Sequence, residues 1–132
     1  MTYSGVQQQV QDKLSTIFGD LGVFFAFNDE QMTEGLKKTK TKKKDIRSIH
    51  GGGFVSIKNA EQYMKQTSDL MKWQEKEVKK LDSDKVIEYE LANHECYYTG
   101  DISTAHDILK AYDFSLQQVQ EVYNKTAHKH DL

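Results

Sequence analysis

Apolar positions along the first twenty residues recur at helical spacing: Val6, Val10, Leu14, Ile17 and Phe18 fall on one face, with glutamine and charge on the other, which predicts an amphipathic helix ending near Gly19 or Gly22. Val23 to Phe27 is then a short continuous apolar run after a glycine, the pattern of a buried strand. Asn28 followed by Gln31 has the spacing of a capping box and opens a short helix through Met32 to Leu36. Ile46 and Ile49, then Phe54, Val55 and Ile57, flank Gly51, Gly52 and Gly53, so this stretch reads as a β-hairpin around a glycine turn. Asn59 with Gln62 repeats the capping pattern. The longest helix follows, its inner face traced by Ala60, Tyr63, Thr67, Leu70, Met71, Gln74, Val78 and Leu81.

Three further helices are expected in the C-terminal half. Asp82, Ser83 or Asp84 caps one that carries Val86, Ile87, Glu90, Leu91 and His94. Asp101 caps a second over Ile102 to Tyr112, and Ser115 with Gln118 opens the last, with Leu116, Val119, Val122 and Tyr123 inward. The tail from about 125 to 132 has no apolar stripe and is expected to fray. The fold class is α+β: a mostly helical single domain over residues 1–132, with a small antiparallel sheet in the N-terminal half and a helical C-terminal half. A length of 132 residues suits one core, and a 37% hydrophobic fraction with seven Tyr, six Phe and one Trp is enough to build it.

Charge changes the picture more than composition does. The chain has 18 Lys and Arg against 20 Asp and Glu, yet Lys37, Lys38, Lys40, Lys42, Lys43, Lys44 and Arg47 crowd into one stretch with only Asp45 among them. The remaining sequence therefore carries 11 bases against 19 acids. With threonines between the lysines and no apolar residue before Ile46, residues 37–47 are expected to form a mobile basic loop. Such a loop can neutralise phosphates or meet an acidic protein surface; it equally suits a solvated, solubilising surface. Aromatics and amides for reading bases are missing from it, so any nucleic-acid contact would be to the phosphate backbone.

Candidate chemistry is sparse. The richest polar cluster includes Glu90, Asn93, His94, Glu95, Tyr98 and Asp101. Glu90 and His94, four apart, share a helical face and could offer two metal ligands, with Asp101 or His106 as a third; the same pair also reads as a histidine satisfied by a carboxylate, and no metal is assigned. Cys96 has His94 two residues away, on a different side of a helix, and no G-x-S-x-G or phosphate-loop pattern is present, so no catalytic residue and no cofactor are assigned. A lone cysteine allows no internal disulfide, and the polar N-terminus lacks the apolar segment of a secretory signal, so a cytoplasmic protein without a membrane span is expected. The second helix of the final pair, Ser115 to Asn124, has few bases for a DNA-reading helix and reads as packing or protein contact.

The stretch Val23 to Gly35, the glycine cluster at Gly51 and the stretch Tyr89 to Ile102 resemble a family of small proteins encoded by bacteriophages and prophages, a likeness that covers Leu21 to Tyr123. That resemblance implies a setting in the cytoplasm of a bacterial host and a role as a stoichiometric inhibitor, of the anti-CRISPR or wider anti-defence kind. The expected function is non-catalytic binding to a host defence protein or ribonucleoprotein complex, aided by the lysine segment. Two alternatives stand beside it: a small-ligand binder acting as a sponge for a nucleotide signal, and a nucleic-acid-associated protein that uses the lysines on phosphates.

Overall fold

The computed structural model describes residues 1–130. The fold is α+β and mostly helical, with a three-stranded antiparallel sheet in the N-terminal half and helices in the C-terminal half. In chain order the elements are α1 (Tyr3–Leu21), β1 (Phe24–Phe25), α2 (Asp29–Thr39), β2 (Ile46–Ile49), β3 (Gly53–Ser56), α3 (Ile57–Lys79), α4 (Ser83–Asn93), α5 (Cys96–Thr99), α6 (Ser103–Leu109) and α7 (Leu116–Thr126). By contacts the chain divides into two compact units, residues 8–72 and residues 1–7 with 73–132. Among the described residues no helix is long and apolar enough to cross a membrane.

Residues 8–72 hold the sheet. Strand order is β1-β3-β2, with Phe24 opposite Phe54 and Ile46 opposite Ser56, so the hairpin forms around the glycine turn as its sequence dictates. Gly51 and Gly52 take φ of 71° and 79°, the left-handed region that a side chain disfavours. A Cβ on Gly52 would also clash with the edge of the Phe27 ring. At α2 the Asn28 Oδ1 accepts from the Gln31 N–H at 2.8 Å, and the Gln31 Oε1 accepts from the Phe27 N–H at 2.7 Å, a reciprocal cap. The first strand is shorter than the apolar run suggests. Phe24 and Phe25 pair with Phe54 and Gly53, and the Ala26 N–H still donates to the Gly52 carbonyl at 3.1 Å, but Gly52 belongs to the left-handed glycine turn and not to β3.

Two expectations here are corrected. Residues 37–47 are not one loop: α2 continues through Thr39, residues Lys43–Asp45 form a 3-10 turn, and Arg47 lies in β2. Helix propagation needs backbone hydrogen bonds and not apolar side chains, and lysine is a good helix former, so the absence of hydrophobes did not stop α2. The long helix also starts earlier than Asn59. It follows β3 directly at Ile57, with Ser56 Oγ accepting from the Asn59 N–H at 3.2 Å, while Asn59 Nδ2 donates to the Leu21 carbonyl at the end of α1 at 3.0 Å.

The continuous buried cluster belongs to residues 1–7 with 73–130. Tyr3 and Val6 pack with Val78, Val86, Ile87 and Leu91, and with Leu109, Val119 and Val122 from the later helices. Fully burying each such aliphatic side chain stabilises by roughly 1.5–3 kcal/mol. α4 packs against α6 and α7. Asp82 accepts from the Asp84 N–H and Ser115 Oγ from the Gln118 N–H, the caps the sequence places there; at α6 the N-cap position is Ile102, which has no side-chain cap, and Asp101 before it accepts from the Ser103 N–H. Instead of fraying from Lys125, the tail stays helical through Thr126, which is buried, and then makes a 3-10 turn over Ala127–His130. The reason is ring packing in place of an aliphatic stripe: His130 stacks on Tyr97 at 3.9 Å between centroids, and Tyr97 stacks in turn on Tyr123. Asp131 and Leu132, the rest of that expected frayed tail, lie outside the described residues.

Candidate functional site

The seven cations are spread over three kinds of backbone. Lys37 and Lys38 occupy the last turn of α2, where positive charge complements the helix dipole. Lys40 ends the helix in the left-handed conformation, φ 55°, and its N–H and that of Thr41 satisfy the Leu36 and Lys37 carbonyls. Lys42, Lys43 and Lys44 lie in and just before the 3-10 turn, and Arg47 projects from β2, an edge strand of the sheet. All seven are exposed. Among the described residues none of them has a carboxylate within 4.0 Å, whereas Lys65, Lys79, Lys80, Lys110, Lys125 and Lys129 each do. This positive surface is left unneutralised by its own fold.

The polar cluster is mostly not brought together. Asn93 and Glu95 are exposed, Tyr98 is 80% exposed, and Asp101 is engaged just before α6 by Ser103, whose N–H and hydroxyl hold its carboxyl below the usual carboxylate range. Only Glu90 and His94 meet, with Oε2 and Nε2 3.4 Å apart. Glu90 is 4% exposed, and burial raises its pKa although the neighbouring His94 acts in the opposite direction. Among the described residues no three His, Cys, Asp or Glu side chains gather as a metal-ligand set. Cys96 is buried, with its Sγ 3.9 Å from the His94 carbonyl and from Thr104 Oγ1.

What surrounds Glu90 was not visible from its neighbours in sequence. Tyr3 and Tyr112 pack edge to face with ring centroids 6.4 Å apart, Gln7 Nε2 donates to the Tyr3 hydroxyl at 3.0 Å, and Gln74 Nε2 donates to Gln7 Oε1. Burial first, and then the nearby Tyr112 and Glu90, push the Tyr3 phenol well above its ordinary value. Every buried side-chain nitrogen and oxygen among the described residues has a partner. A satisfied network of this kind orients helices and rigidifies them.

The second feature that sequence reasoning missed lies in residues 8–72. A cleft of about 1300 Å³ is bounded by Leu14 and Phe18 of α1, by Phe25, Ile49 and Val55 of the sheet, and by α3. Arg47, Ser48 and His50 reach its lining from β2 and the turn after it. Met71, expected on the buried face of α3, is 54% exposed and borders this cleft, while the adjacent Leu70 is buried. Neighbours in a helix point about 100° apart, so one of the two had to face away. The available signal was the seven-residue spacing of Ile57, Met64 and Met71.

No curated protein and no solved structure matches the chain. One family model does, over residues 6–129, a span that includes the cationic segment, the residues that line the cleft, and Glu90 with His94. The chain belongs to that family, DUF7659, described as a family of unknown function.

Proposed function

We propose that this protein is a non-catalytic binding protein that docks on an acidic surface of a partner protein through the cations of residues 37–47. In the phage setting that the resemblance implies, the partner is a host defence complex, and binding inhibits it by occupying a surface that the complex needs. The carrying observation is the contrast in pairing among the described residues: seven cations crowded into residues 37–47, none with a carboxylate within 4.0 Å, in a chain where at least six of the eleven other lysines have one. Surface charges that a fold leaves unpaired act on association and partner choice more than on stability. An acidic protein surface is favoured over bare phosphate backbone because Arg47 also lines an apolar cleft, and apolar contact belongs to protein interfaces.

The test is co-purification with a panel of purified CRISPR effector complexes, followed by titration of inhibition. Inhibition should saturate near one to one, and affinity should fall as salt rises. Replacing Lys40, Lys42, Lys43 and Lys44 by Ala should leave the fold intact and weaken binding about 10- to 100-fold, the equivalent of four exposed charge contacts at a few tenths of a kcal/mol each. Unchanged affinity, or inhibition far below one equivalent, would overturn the reading.

A further inference from the structure

The cleft in residues 8–72 has a repeat and a charge border that specify what fits it. Four of its large apolar side chains are left open to solvent: Phe25 at 42%, Ile57 at 50%, Met64 at 63% and Met71 at 54%. Along α3, Ile57, Met64 and Met71 recur every seven residues, with the smaller Ala60 and Thr67 three residues after the first two. A seven-residue step returns to within about 20° of the same direction on an α-helix, so the three large side chains form one stripe roughly 21 Å long. Large residues alternating with small ones leave holes between knobs, the surface that a second helix packs against. Methionine adds side chains that adapt to the shape of an incoming partner.

Charge selects the kind of helix. Lys58, Lys65 and Lys72 each follow a stripe residue by one position, about 100° around the helix, and so run beside it with the same period. Arg47 and His50 stand at the sheet side of the cleft. Glu61 is the one carboxylate among the described lining residues. Neither Arg47, Lys58 nor Lys72 has a carboxylate within 4.0 Å, and Lys65 is paired only with the exposed Asp69. A second copy of this face would set lysines against lysines, which disfavours self-docking. We infer that the cleft between α1, α3 and the sheet docks an acidic amphipathic helix of a partner protein, its apolar stripe on Ile57, Met64 and Met71 and its carboxylates against the flanking cations.

The inference rests on reading the chain as a protein-binding module, and not on the lysine segment. The probe is a labelled helical peptide of about 21 residues, three heptads with Leu at the seam and Glu at the flanks, set against the same peptide with Lys at the flanks. Fluorescence anisotropy at low salt should give saturable micromolar binding of the Glu peptide and at least tenfold weaker binding of the Lys peptide. The double substitution Met64→Gln, Met71→Gln should weaken the Glu peptide at least tenfold with unchanged circular dichroism and melting. The chain with Lys40, Lys42, Lys43 and Lys44 replaced by Ala should retain the peptide affinity, which separates this site from the lysine segment. The proposal is overturned by no saturable binding, by equal affinity for the two peptides, or by an affinity insensitive to the methionine substitutions. It is also overturned if the quadruple-alanine chain loses binding as fully as the double-glutamine one, or if sedimentation shows a dimer that the methionine substitutions abolish.

Discussion

The ring of Phe24 lies where a Cβ on Gly35 would be. Gly35 is in the interior of α2 and buried, and β1 brings the ring across it. Glycine inside a helix costs about 1 kcal/mol relative to alanine, so its presence here is explained by the close approach and not by helix preference. Gly35→Ala therefore sets a propensity gain of about 1 kcal/mol against an overlap costing roughly 1–3 kcal/mol. Urea denaturation should show a net loss of stability, and Phe24→Leu in the same chain should recover part of it. A more stable Gly35→Ala protein would mean that the ring can step aside.

Glu90 makes stability depend on pH with a defined sign. Burial raises its folded-state pKa above the ordinary 4.5 despite the opposing pull of His94. The folded protein thus holds the Glu90 proton more tightly than the unfolded chain does, and unfolding releases it. This contribution is fully present below pH 4.5 and is lost as pH rises through the folded-state pKa. Glu90→Gln keeps the shape and removes the titration. Its stability relative to wild type should rise with pH from 4.5 upward, measured as the difference in denaturation midpoint across a pH series. A difference that stays constant over that range would refute the assignment.

The sequence is most legible where a local pair decides the structure. Asn28 with Gln31 and Ser115 with Gln118 cap the helices they were expected to cap, because a side-chain acceptor and the backbone donor three residues on are fixed by the chain itself. The glycine turn is legible for the same reason. Legibility fails where several local solutions compete: Asn59 can cap α3, but so can Ser56, and the Leu21 carbonyl claims the Asn59 amide. It also fails for contacts made across the fold. Nothing near Tyr3 announces Tyr112, and the seven-residue repeat of Ile57, Met64 and Met71 does not by itself say which of two adjacent helix faces is inward. The cationic residues are plain in the sequence, whereas their division between helix end, turn and edge strand is not.

Exchange of the capping role at α3 can be measured directly. Ser56→Ala removes the acceptor of the Asn59 N–H and should cost about 1 kcal/mol, the usual worth of an N-cap. Asn59→Asp keeps the side-chain shape but removes the amide donor to the Leu21 carbonyl and places a carboxylate beside it, with an expected loss of about 1–3 kcal/mol. If Asn59 were instead the cap, Asp would serve equally well there and Ser56→Ala would be neutral. Thermal denaturation of the two single variants distinguishes the cases.

His94 separates a structural pair from a metal centre. Its Nε2 lies 3.4 Å from the Glu90 carboxylate, it forms the C-terminal cap position of α4, and it is half-buried beside a core that contains Leu91 and Cys96. A histidine held in this way contributes through packing and its contact with the buried Glu90 carboxyl, so His94→Ala should lower stability by about 1–3 kcal/mol. Were it a metal ligand, the binding free energy of the ion would be part of the folding free energy, and a chelator would lower the melting temperature of the wild type while leaving the variant unchanged. We expect wild type and His94→Ala each to melt at the same temperature with and without chelator, with the variant lower in both. A chelator-dependent drop confined to the wild type, together with stoichiometric zinc or manganese in the purified protein, would replace the structural account with a metal site built on Glu90 and His94.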